Sequence, residues 1–67
     1  MPFGHEITIQ QKLNELRREM ALRRTVYPGM IRSGRMTQTH ADRHMAVLAA
    51  IIADYEKLQQ DEEPKLL

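Results

Sequence analysis

Apolar residues recur at helical spacing in two blocks of the chain. Ile9, Leu13, Leu16 and Met20 line one side of a helix, and Tyr27 falls on the same line two turns later. Ala41, Met45, Leu48, Ile52 and Tyr55 form a second stripe, widened by Val47, Ile51 and Leu58. No segment alternates apolar and polar positions in the manner of a strand, so the pattern predicts an all-α chain.

The residues between and around the stripes predict where each helix starts and stops. Thr8 is placed as an N-cap, its hydroxyl accepting from an amide of the first turn. Pro28 predicts an end near Tyr27, because the residue before a proline is pushed out of the α region. The same proline suits the opening of a short helical turn over 28–32, closed by a left-handed cap at Gly34. Thr37 caps the second helix, with Met36 and Ala41 spaced as a hydrophobic staple, and the helix is expected to run over 38–60. The expected organisation is a flexible N-terminal segment (1–7), a helical hairpin domain (8–60) and an acidic tail (61–67). Two helices of matched length and a short connection make the hairpin antiparallel.

A lone hairpin cannot enclose stripes this wide, because each helix shields only part of the other. The pattern therefore predicts a homodimer closed as a four-helix bundle. Leu13, Leu16, Met20, Met45, Leu48, Ile51, Ile52 and Tyr55 are the residues expected at the oligomer interface. Ala46, Ala49, Ala50 and Ala53 line the other side of the second helix, where alanine serves helix formation or a close helix approach.

Length sharpens the need for a partner. A chain of 67 residues is one domain, and a core of that size rarely supplies more than ~3–5 kcal/mol. With no cysteine, disulfides and thiolate chemistry are excluded, which suits a cytoplasmic protein. The opening residues carry neither a basic segment nor an apolar run, so no signal peptide is expected, and no stretch predicts a membrane span.

The net charge of +1 conceals an uneven distribution. All seven arginines fall between Arg17 and Arg43, opposed there only by Glu19 and Asp42, whereas after Asp54 the acids Glu56, Asp61, Glu62 and Glu63 outnumber Lys57 and Lys65. The hairpin brings Arg23, Arg24, Arg32, Arg35 and Arg43 towards one tip, and these are the expected partner-binding residues. A guanidinium grips carboxylate or phosphate through a planar fork, which lysine cannot do. An acidic protein surface is the expected partner, with nucleic acid or a phosphate-bearing ligand as the alternative. A pI near 8.2 and only two tyrosines argue against reading duplex DNA. The plainer reading of the same arginines is structural: they meet the first helix's macrodipole and pair with Glu15, Glu19 or Asp42.

Catalysis finds little support. Ser33 has only arginine and glycine as neighbours, so no local base would activate it. His40 and His44 stand one turn apart, a spacing at which two imidazoles can share a metal ion, but two ligands alone do not close a structural site. Neither a cofactor, a metal nor a catalytic residue is expected.

The segment ELRREMALRRTVYPGMIRSGRMTQTHADRHMAVLAAIIADYEKL resembles a group of small, mostly uncharacterised phage and prophage proteins. They share an arginine-rich helix, a Val-Tyr-Pro step, a short apolar turn, a glycine, then Met or Leu before Thr and an alanine-containing helix. Here these are Val26-Tyr27-Pro28, Met30-Ile31, Gly34, Met36-Thr37 and Ala41. The second helix departs in carrying Thr39-His40 where acids are usual. The resemblance spans 15–58 and implies a non-enzymatic accessory protein that binds and modulates host or defence components in the host cytoplasm.

Overall fold

The computed structural model of the chain describes residues 6–62, and within them the polypeptide makes two long helices, α1 (Ile9–Arg32) and α2 (Gln38–Glu62). The expected flexible segment and acidic tail fall outside the described residues except for Glu6, Ile7, Asp61 and Glu62.

Thr8 opens α1 through a capping box. Its hydroxyl accepts from the Gln11 amide at 3.0 Å, and the Gln11 carboxamide oxygen accepts from the Thr8 amide at 2.8 Å. Two amides that lack a helical partner are satisfied reciprocally. At the other end the chain stops by backbone geometry. Gly34 has a φ of 80°, and its amide donates to Ile31 at 3.1 Å while that of Arg35 donates to Met30 at 2.9 Å. These two bonds are the pair that defines a Schellman ending. Ser33 reinforces it, donating its hydroxyl to the Met30 carbonyl and accepting from the Arg35 guanidinium. Thr37 then caps α2, accepting from the His40 amide at 3.1 Å.

One expectation is corrected here. α1 does not end near Tyr27; it runs unbroken through Pro28 to Arg32, so the expected separate helical turn is the last turn of α1 itself. A proline inside a helix removes one rung and crowds the carbonyl four residues earlier, at about 3 kcal/mol. Pro28 lies on the exposed side of the helix, while Met30 and Ile31 beyond it are half-buried. Burying those two side chains, and completing the Schellman ending, favours continuing past the proline. α2 also extends two residues beyond its expected end at Gln60.

The two helices pack antiparallel, joined by residues 33–37. Leu13, Ala41 and Leu48 are the buried core, with Leu13 fully inaccessible. Ile9, Leu16, Met20, Tyr27, Met45, Ile52 and Tyr55 flank them half-buried. Towards the open end the seam is laced by polar side chains. Arg17 pairs with Glu56 at 2.8 Å, Gln59 donates to Gln10, and the Lys12 ammonium sits 5.6 Å from the Tyr55 ring centre. The molecule is only 14 Å thick along its shortest axis, which is one layer of helices. Both broad faces of the hairpin are therefore open.

Candidate functional site

One broad face carries an open groove at the closed end of the hairpin. It has a volume of about 410 Å³ and is lined by Tyr27, Pro28 and Ile31 of α1 and by Ala41 and Met45 of α2, with Arg23, Arg24 and Arg32 around it. A smaller hollow of about 270 Å³, lined by Arg17, Met20, Arg24, Ala49 and Ile52, continues along the same face. Arg24 lines both. On α1 these residues repeat at three- and four-residue steps from Arg17 to Ile31, one continuous strip of helix surface.

The arginines here are not equivalent. Arg23 is half-buried and committed: its Nε donates to Glu19 at 2.9 Å, and its Nη1 donates to the His44 carbonyl at 3.1 Å, tying α1 to α2. Its guanidinium also lies 6.0 Å from the Tyr27 ring centre, at the outer reach of a cation–π contact. Arg24 and Arg32 have no ion pair among the described residues. Asp42 is the one acid lining the groove, and it accepts from the Gln38 carboxamide at 2.8 Å rather than from an arginine. The groove thus combines an apolar floor with two guanidinium groups that make no ion pair among the described residues.

Of the five arginines expected at a partner surface, Arg23, Arg24 and Arg32 line the groove. Arg35 lies in the connection, its Nε bound to Ser33, and Arg43 is exposed on α2 outside the groove. Arg17, expected only as part of the basic run, reaches across to Glu56 and lines the second hollow.

The residues expected at an oligomer interface divide in a similar way. Leu13 and Leu48 are buried within the hairpin itself, and Leu16, Met20, Met45, Ile52 and Tyr55 are half-covered along its seam. Ile51 remains uncovered at 38% exposure, with Val47 at 54% and Leu58 at 47%. Spaced by four and seven residues, these three form one stripe on the flank of α2 away from the groove. Leu22 and Val26 are exposed on α1, one turn apart. The alanines 46, 49, 50 and 53 are exposed too.

His40 and His44 are both exposed, with their Nε2 atoms 2.8 Å apart. Among the described residues no group of three or more histidines or acids converges, and no helix is long and apolar enough to cross a membrane. Among the described residues no side-chain nitrogen or oxygen is both buried and unpartnered. Ser33 is engaged in capping α1 on both its donor and acceptor sides. Comparison with family models, with curated proteins and with solved structures finds no match to the chain.

Proposed function

We propose that this chain is a non-enzymatic interaction module: a homodimer that binds and modulates another protein through its arginine-lined groove. The observation that carries the reading is the division of the hairpin into two unlike faces. One flank of α2 presents Val47, Ile51 and Leu58 to solvent, and the opposite face presents Arg24 and Arg32 over an apolar floor. The first is a surface for a second copy, and the second suits a segment bearing carboxylates beside an apolar side chain.

Uncovered apolar surface supports the dimer: Val47, Ile51 and Leu58 stand open on a hairpin that buries only Leu13, Ala41 and Leu48 among the described residues. Closing two hairpins flank to flank makes a four-helix bundle and leaves both grooves open. The resemblance to phage accessory proteins adds that the bound protein is a host or defence component and that the setting is the host cytoplasm.

Two substitutions test the two faces separately. Ile51→Asp sits outside the seam, so it should leave an antiparallel hairpin yet halve the mass seen by light scattering, from about twice 7.8 kDa to the single chain. Arg24→Glu with Arg32→Glu should leave the dimer intact and abolish capture of an acidic partner, since reversed charge repels it. A parent that scatters as a monomer at all concentrations removes the dimer from the reading. A reversed-charge pair that still captures its partner removes the groove.

A second reading, binding of a nucleotide or nucleic acid, draws on Tyr27, which lines the groove beside the two unpaired arginines and offers a ring for a base to stack on. Salt separates the two. Phosphate binding falls steeply as counterions compete, whereas capture resting partly on the apolar floor falls less.

A further inference from the structure

The uncovered stripe on the flank of α2 extends beyond its apolar residues. His40, His44, Val47, Ile51, Asp54 and Leu58 follow one another at alternating steps of four and three, and all six are exposed. A seam of that 3.5-residue period is the one along which a second helix packs. Its middle is apolar, Val47 and Ile51, with a histidine on one side and a carboxylate on the other. Asp54 makes no ion pair among the described residues. The His44 ring is bonded to His40, at 2.8 Å between their Nε2 atoms, which leaves its Nδ1 for another partner.

These six positions stand symmetrically about residue 49. In an isologous contact residue i of one copy meets j of the other, and j meets i. An antiparallel pairing centred at that level sets Val47 against Ile51 of the second copy, His44 against its Asp54, and His40 against its Leu58. Each of these pairs then occurs twice. We propose that α2 docks antiparallel on α2 of a second copy in this register, with two His44–Asp54 contacts between the copies bracketing an apolar centre. This rests on the reading of the flank as the dimer surface and adds which residues meet across it.

Other arrangements match worse. A parallel twofold sets each residue against its own counterpart, so that Asp54 meets Asp54. Sliding the antiparallel pair by one heptad sets Ile51 against Asp54, or Val47 against His44, and either leaves a polar group facing an apolar one. The antiparallel pairing also opposes the helix dipoles and lays the acidic second half of α2 beside the start that carries Arg43. An imidazole N–H donates to a carboxylate whether the ring is neutral or charged. Arg43 and Lys57 of the two copies approach only at the exposed rim of the stripe, where salt and water screen their like charges.

The chain has no cysteine, so engineered thiols report the register directly. Val47→Cys chains mixed with Ile51→Cys chains should give a covalent dimer under mild oxidation, since a disulfide forms only where the Cα atoms come within about 7 Å. Ile51→Cys mixed with Asp54→Cys, the pair of the shifted register, should not. His44→Glu should raise the dissociation constant of the dimer ~10-fold in sedimentation velocity, with helix content unchanged. Adding Asp54→Lys to it should restore the parent value, because opposite charges face each other again. A parent that sediments as a monomer removes the dimer and this pairing together. A dimeric parent that cross-links through positions 51 and 54, or whose His44→Glu defect Asp54→Lys fails to restore, overturns the register and leaves the dimer standing.

Discussion

The two ends of the hairpin use the same kinds of residue to different effect. At the open end, charged and amide side chains reach across the seam: Arg17 to Glu56, Gln59 to Gln10, Lys12 to the Tyr55 ring. Among the described residues only Arg23 does so at the closed end, and Arg24 and Arg32 stand without an ion pair. The cause is register. An antiparallel hairpin sets the acidic second half of α2 opposite the first half of α1, so the later arginines of α1 face a stretch whose single acid, Asp42, is already held by Gln38. Charge spent on the seam serves the fold, and charge left over is available to a partner.

The contrast breaks entirely if the seam fails. Leu48→Asp places a carboxylate in the core between the two ends and should cost well over ~3 kcal/mol. Circular dichroism should show loss of helix from both halves together, and assembly should disappear with it. Retention of a folded hairpin would mean that the core lies elsewhere.

Damage to the closed end alone should be smaller. Gly34→Val must hold a β-branched residue at a φ of 80°, at ~1–2 kcal/mol. A Cβ there meets nothing within 4 Å, so the penalty is backbone strain without a clash. Chemical denaturation should find a lower midpoint with an unchanged slope. At the opposite terminus, Thr8→Ala removes the capping box and should cost about 1 kcal/mol.

The smallest effects sharpen the comparison most. Arg17→Ala breaks an ion pair whose side chains are half exposed, and should lose no more than ~1 kcal/mol, less at high salt. Arg24→Glu breaks no pair among the described residues and lies away from both caps, so denaturation should detect a change under ~0.5 kcal/mol. If it proves more destabilising than Arg17→Ala, Arg24 serves the fold after all.

Much of this architecture could be read along the chain. The two stripes, the caps at Thr8 and Thr37, the left-handed glycine at position 34 and the antiparallel pairing all follow from spacing and from residues with a strong local preference. The candidate site was legible only in outline. A cluster of arginines at one tip was readable, but not that Arg23 would be tied to Glu19 and His44, that Arg35 would brace the turn at Ser33, or that Arg43 would lie outside the groove. Nor was the uncovered stripe of Val47, Ile51 and Leu58 separable from the covered residues beside it. Periodicity marks a wide apolar arc without saying which edge the neighbouring helix covers.

What the sequence alone determined is whatever is settled within a turn of helix. A threonine cap, a glycine at positive φ and a repeat of three and four act through atoms a few residues away, so they hold in any surroundings. What only the tertiary structure decided depends on the atoms across the seam. Pro28 stays inside α1 because Met30 and Ile31 beyond it gain cover in the folded hairpin, a burial large enough to override a local preference to stop. Which arginine is paired, and which apolar flank is open, follows likewise from the register of α1 against α2. That register joins residues more than twenty positions apart, and no local preference encodes it.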